Sequence, residues 1–285
     1  RLRALYGLDA PIAKQFVVWM GDVLRGNFGT SISLRDGVGS LVLSRLPATL
    51  ELVLVAVAAA CALAAVAAVG AVYFRGRWPE LVVDGATGLV LAIPDFLWGL
   101  LFILVLGVLL PWLPISGRID PTLDFDPATG FYLVEALLRL QWTTFVDLLR
   151  HMLLPALALA LPLAAALTRV LKGSLIDAMN QDYVTLVRVK GYSKARILWR
   201  VALRNALIPT VTLTGVQFSF LIGGTVLIEY LFSYPGIGNL AIAAVNQRDL
   251  PLIQGLVLTF AALFILTNLM VDMAYSLLNP KVRQA

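Results

Sequence analysis

Leu46–Phe74 reads LPATLELVLVAVAAACALAAVAAVGAVYF. About 20 mostly apolar residues suffice for a helix to cross a bilayer, and this stretch exceeds that. Four more blocks of the same kind follow, at about Leu81–Leu110, Leu149–Leu171, Leu207–Leu231 and Leu252–Leu277. In lipid a backbone must satisfy its own hydrogen bonds, so the blocks read as helices. The ten-residue alternating segments of a membrane barrel are absent from the sequence. The expected fold is an all-α polytopic bundle with five spans, the longer ones tilted.

Composition agrees with that reading. The 285 residues are 60% hydrophobic and 14% charged, against roughly 45–50% and 25% in a soluble domain. The single cysteine, Cys61, lies inside an apolar run, so neither an intrachain disulfide nor a Cys-rich metal site is available. The single histidine, His151, stands beside Arg150 at the head of an apolar block and reads as an interfacial residue. No metal site is expected. The net charge of +5 is spread over loops between apolar blocks, not over one soluble face, so no nucleic-acid partner is expected.

Basic residues orient the chain. Residues 172–206 hold Lys172, Arg188, Lys190, Lys194, Arg196, Arg200 and Arg204 against Asp177 and Asp182; Arg75 and Arg77 lie between the first two spans, and Lys281 and Arg283 in the tail. The positive-inside rule places these three regions in the cytoplasm. Residues 112–148 carry Asp120, Asp124, Asp126, Glu135 and Asp147 with only Arg118 and Arg139, and belong outside. Residues 1–45 are basic, yet alternation puts them outside as an external N-terminal segment ahead of the membrane domain, 46–285. A further span upstream of Arg1 would account for this.

The chemistry expected of the chain is conformational. It has no GxxxxGK[ST] phosphate loop, no HExxH and no GxSxG. Gly236-Ile237-Gly238 is too short for a dinucleotide fingerprint and reads as a turn. Between the third and fourth spans, Asp182-Tyr183-Val184-Thr185-Leu186-Val187-Arg188-Val189-Lys190-Gly191 is followed by Tyr192-Ser193-Lys194-Ala195-Arg196 and then Ala202-Leu203-Arg204-Asn205-Ala206-Leu207-Ile208-Pro209. The segment predicts two short basic helices at an angle, with Gly191 supplying a positive φ at the turn and Lys194 and Arg196 as rim charges. The alternative is an ordinary positive-inside loop.

These residues resemble the coupling loop of bacterial ABC importer permeases, and more closely its dipeptide/oligopeptide subfamily. The resemblance runs along the whole chain. Its marks are Tyr6-Gly7-Leu8-Asp9-x-Pro11 with Gln15, Arg45-Leu46-Pro47-Ala48-Thr49, and Ile93-Pro94-x-Phe96-x-x-Gly99. Glu229-x-x-Phe232-x-x-Pro235-Gly236-x-Gly238-x-Leu240 and Arg248-Asp249-x-Pro251 resemble the last external loop. Thr185, Leu186 and Val187 stand where the general Glu-Ala-Ala motif would be, and the family's first span has no counterpart here. The resemblance implies a multi-pass subunit of the bacterial inner membrane, paired with a homologous second permease. Two cytoplasmic ATPase subunits holding ATP and Mg, and an external substrate-binding protein, would complete an importer in which this chain is not the enzyme. Di- or oligopeptides are the implied substrates; nickel chelates, glutathione and other small solutes are the alternatives within the class. An ion-coupled secondary transporter or a membrane-embedded enzyme would be the reading outside it.

Candidate path residues come from polar positions in the spans. Thr210, Thr214, Gln217 and Thr225 fall on one face of the fourth span. Such a stripe faces protein or water, not lipid; interhelical bonding, or a threonine bonding its own backbone, is the alternative to a pore lining. Pro94 should kink the second span, and Asp95 beside it is the most deeply placed acid.

Overall fold

The computed structural model describes residues 11–278, with the side chains of Asp272 and 274–278 left aside. The motif at Tyr6–Asp9 and the basic pair Lys281 and Arg283 lie outside the described residues. Within them the chain is helical, with one isolated bridge between Thr30 and Gly37.

Helix α1 spans Ile12–Leu24 and buries none of its residues. Helix α2, Val38–Tyr73, begins eight residues before the apolar block that announced it and carries Pro47 inside. It is followed by α3 (Trp78–Ala92) and α4 (Asp95–Phe102), the latter continued by a π-helical turn over Ile103–Leu109. Then come α5 (Tyr132–Leu138), α6 (Trp142–Met179), α7 (Asp182–Val189) and α8 (Lys194–Ile197). A π segment, Leu198–Ala202, joins α8 to α9 (Leu203–Leu231); α10 (Ile237–Asn246) and α11 (Leu250–Leu278) complete the chain.

Helices α2, α6, the unit Lys194–Leu231 and α11 are each long and apolar enough to cross a membrane, and α3 with α4 makes a fifth, broken unit. The expected kink at Pro94 is a break: the axes of α3 and α4 differ by 102°. Ile93 is extended at φ −107° and ψ 127°, as the residue before a proline prefers. The two halves together run from one end of the bundle toward the other. The start of α3 lies by Lys172, which meets Glu80 and Asp84 at 2.7 Å, whereas the segment after α4 reaches the far end of α9, where the Gly117 amide donates to the Phe232 carbonyl.

Small residues set the packing of the two central helices. Ala56, Ala60, Ala64 and Ala68 recur every fourth residue on α2, and Ala156, Ala160 and Ala164 do so on α6; all seven are buried. Between membrane helices, where burial from water drives nothing, small side chains allow the close approach that dispersion requires. Leu52, Leu154, Leu159, Ile228 and Phe232 extend this core toward one end of the bundle, and Val69, Leu171, Leu175 and Leu198 toward the other.

Both long loops expected from the sequence are shorter than the apolar blocks implied. Helix α6 runs past its block in both directions, and the helix of the fourth span starts at Lys194. Only residues 180–193 separate those two helices, not 172–206. The second of the two expected short helices is therefore the leading end of a span. A helix need not stop where its apolar residues do, because charged side chains continue it into water.

Candidate functional site

One end of the bundle carries the helix–turn–helix around Gly191. Helix α7 has Asp182 in its first turn and Arg188 in its last, charges placed to complement the helix dipole. It ends in a Schellman arrangement: the Gly191 amide donates to the Arg188 carbonyl at 3.0 Å and the Tyr192 amide to Val187 at 3.4 Å. Gly191 takes the required positive φ, +82°. A Cβ there would meet nothing within 4 Å, so the turn needs glycine for its dihedral and not for space within this chain. The Ser193 hydroxyl caps α8 by accepting from the Arg196 amide.

The side chains divide into anchors and an exposed face. Val184, Ile197, Leu198 and Ala202 are fully buried. Lys194 is exposed but tethered: its Nζ donates to the Tyr73 carbonyl at 2.5 Å, the end of α2, and lies over the Tyr73 ring. Arg196 lies over the ring of Tyr192, and Lys190 caps α7. By contrast Tyr183, Leu186 and Val189 are exposed, Val189 to 82%. They follow at intervals of three and so share a side of α7. An open cleft lined by Ser174, Asp177, Gln181, Tyr183 and Asn205 parts α7 from α9.

The other end is built on carboxylates. Glu229, in the last turn of α9 and fully buried, accepts from the amides of Gly238 (2.8 Å) and Asn239 (3.1 Å) at the start of α10, and from the Thr49 hydroxyl of α2 at 2.6 Å. Thr49 Oγ1 in turn accepts from the Ile237 amide. The glycines of the Glu229–Gly238 signature follow from this: a Cβ on Gly236 would run into the Glu229 carboxylate, and one on Gly238 would lie 2.6 Å from the Cα of Val226. Pro235 makes the tight turn before them, closed by the Gly236 amide on the Tyr234 carbonyl. Arg248 ends α10 at φ +53°, a place usually held by glycine. Asp249 caps α11 through the Leu252 amide and accepts from Ser31 and Ser33 at 2.6 Å each. Burial opposes its charge, but the Ser31 and Ser33 hydroxyls and the Ser33 and Leu252 amides outweigh burial and hold its carboxyl below the usual range. That bond pins residues 31–33 to the Glu229 end.

Sequence reasoning missed the long-range ionic contact at this end. Glu51 of α2 and Arg118 of the segment after α4 form a buried pair at 2.7 Å. Arg118 also donates to the Gly130 carbonyl and lies 3.7 Å above the Tyr132 ring, while Glu51 accepts from the Leu133 amide at 3.0 Å. No local pattern could have found it, since the partners lie 67 residues apart.

The candidate path residues differ in burial. Thr210 and Thr225 are buried inside this chain, and the hydroxyls of Thr210, Thr214 and Thr225 each donate to a carbonyl of their own helix. Thr214 and Gln217 are half-buried. Asp95, at the head of α4, meets α9 at Gly224, seven residues on from Gln217 and so on the stripe's own face.

Comparison with known proteins fits this architecture. Over 97% of its length the chain is 41% identical to the di/tripeptide transport system permease protein of Pseudomonas aeruginosa, covering 82% of that protein. It is 35% identical to the dipeptide transport system permease protein of Escherichia coli, over 99% of this chain and 84% of that one. It is 34% identical to the glutathione transport system permease protein of Salmonella choleraesuis, over 99% and 83%. Residues 56–284 match the family described as binding-protein-dependent transport system inner membrane component, and the chain belongs to that family.

Proposed function

We propose that this chain is the permease half of an ATP-driven importer of short peptides, in the bacterial inner membrane, with α7 as the element that receives force. The observation that carries this reading is the exposed apolar side of α7. Tyr183, Leu186 and Val189 lie in water-facing positions beside Asp182, Arg188 and Lys190. Apolar side chains exposed together and rimmed by charge mark a protein contact. The Lys194–Tyr73 bond ties the α7–α8 turn to the end of α2, and Leu198, just after α8, packs with Leu171 and Leu175 of α6, so a push on α7 would be felt by the spans.

An ATPase subunit docked on α7 would supply that push; ATP and Mg would be bound there and not on this chain. A homologous permease would complete the pore, and a binding protein would deliver substrate at the Glu229 end. The named substrates of the relatives, di- and tripeptides, dipeptides and glutathione, support a peptide-sized solute.

The test is purification with candidate ATPase subunits, with Leu186→Asp and Val189→Asp as variants. Wild type should hold the ATPases and hydrolyse ATP faster when loaded binding protein is added. The double variant should insert normally and lose the ATPases. Retention of stimulated hydrolysis in the double variant would remove α7 as the coupling element, and peptide uptake by wild type without any ATPase would refute the importer reading.

A further inference from the structure

Carboxylates near or within the spans are matched almost everywhere. Glu51 meets Arg118, Glu80 and Asp84 meet Lys172, and Glu229 meets Thr49 and two amides. Asp95 differs. Its Oδ1 accepts from the Phe96 amide at 2.8 Å, and no cation among the described residues pairs with it. Oδ2 faces α9 at Gly224, where an added Cβ would stand 3.7 Å away, and the neighbouring Gly223 has nothing within 4 Å of its own added Cβ. Gly224 thus stands beside a half-buried carboxylate, and Gly223, exposed, opens on the surface of the chain next to it.

The depth is set by α9. At 1.5 Å per residue, Gly224 lies about 10 Å inside the Leu231 end of that helix, within the hydrocarbon zone of a bilayer some 30 Å thick. From there α4 rises toward the Glu229 end, with Gly99 packed on Ile228 (3.3 Å from its added Cβ). A carboxylate facing lipid at such depth is costly, so it faces protein or a wet cavity. Broken helices at membrane depth occur where they line protein or a wet cavity, and the 102° break immediately precedes Asp95. A carboxylate, a helix break and a glycine gap at one level describe a place open to a cation from outside the chain.

We propose that Asp95, with the gap over Gly223 and Gly224, is a station of the translocation path that takes the ammonium group of a passing peptide. This rests on the importer reading for the identity of the cation. The station gives the path a charge preference: peptides carrying extra positive charge pass more readily than those carrying extra negative charge. Gly224 must remain small for the ammonium group to reach Oδ2.

Two measurements separate this proposal from the importer reading. In the first, Gly223→Cys in a Cys61→Ala background is labelled with a cationic and an anionic methanethiosulfonate in membranes. The ratio of the cationic to the anionic rate should exceed its intrinsic value by about tenfold or more, because one nearby charge in a wet site speeds the first reagent by up to about fivefold and slows the second as much. Adding Asp95→Asn should return the ratio to its intrinsic value, and Asp95→Glu should keep it. No reaction with either reagent, or a ratio indifferent to Asp95→Asn, overturns the station. In the second, the full complex in proteoliposomes with saturating binding protein takes up Ala-Lys and Ala-Glu. The Ala-Lys preference per ATP hydrolysed should vanish in Asp95→Asn while stimulated hydrolysis persists. Loss of the second permease from purified Asp95→Asn would instead assign Asp95 to a subunit contact and overturn the proposal. Charge-selective labelling without any uptake would sustain the cation site and sink the importer reading.

Discussion

Thr49 and Glu229, 180 residues apart in the chain, share a buried 2.6 Å hydrogen bond, and both side chains also serve the first turn of α10. The first orphan amides of that helix are thereby satisfied from α2 and α9 at once. Three helices are locked by one carboxylate and one hydroxyl. Thr49→Ala leaves the buried Ile237 amide unpaired and removes one bond to Glu229, at a cost of about 1–3 kcal/mol. Gly236→Ala drives its methyl into the carboxylate. We expect each to lower the thermal midpoint of the detergent-purified protein by about 5 °C, at roughly 2–4 °C per kcal/mol for a chain of this size. Unchanged midpoints in both would show that this corner carries no stability.

Asp249 supplies a prediction about pH. Its carboxyl is held below the usual range by the bonds from Ser31, Ser33 and Leu252, which outweigh burial. A group lowered on folding contributes stability above its unfolded value and loses it as pH falls through the folded value. Attachment of residues 31–33 should therefore be constant from pH 8 to pH 5 and fail only below the ordinary aspartate range. Hydrogen exchange of the Ser33 and Leu34 amides, corrected for intrinsic rates, measures it. Asp249→Asn should speed that exchange at every pH; a midpoint between pH 5 and pH 7 in wild type would contradict the assignment.

The apolar blocks made the bundle legible because crossing a bilayer imposes a length and a composition that any reader of the sequence sees. The ends were less legible. Nothing local to Lys194 says that it bonds to Tyr73, and nothing local to Glu51 says that it waits for Arg118. Pairing across tens of residues leaves no period. Pro94 was visible as an interruption, but whether a proline kinks or breaks a helix depends on what packs around it. The threonine stripe was visible as a stripe; which helix would cover Thr210 and Thr225 was not. Glycines were half-read: Gly191 was expected for its dihedral, while Gly236 and Gly238 make sense only once Glu229 and Val226 are in place.

Sidedness is open to direct test. Thr129 and Ser193 are both exposed, one near the Glu229 end and one at the Gly191 turn. In a Cys61→Ala background, Thr129→Cys should react with an impermeant thiol reagent in intact cells, and Ser193→Cys only after lysis. The acidic segment would then be outside and the basic turn inside, as the distribution of Lys and Arg requires. Labelling of Ser193→Cys in sealed cells would invert the topology.

Gly191 distinguishes a coupling turn from a topological anchor. Its φ of +82° costs any L side chain, so alanine and tryptophan both pay about 1–2 kcal/mol in the turn, and asparagine pays less. Within this chain the three should otherwise behave alike, because an added Cβ there meets nothing within 4 Å. If an ATPase subunit closes onto this turn, size matters as well, and tryptophan alone should fail. We expect Gly191→Asn and Gly191→Ala to keep binding-protein-stimulated ATP hydrolysis within about twofold of wild type. Gly191→Trp should insert normally and lose at least about tenfold, equivalent to 1.4 kcal/mol or more. Lys194→Glu should do more harm than Arg196→Glu, since it breaks the bond that ties the turn to the end of α2. Equal activity across the whole Gly191 series, with normal uptake, would mean that nothing approaches the turn and that force enters the spans elsewhere.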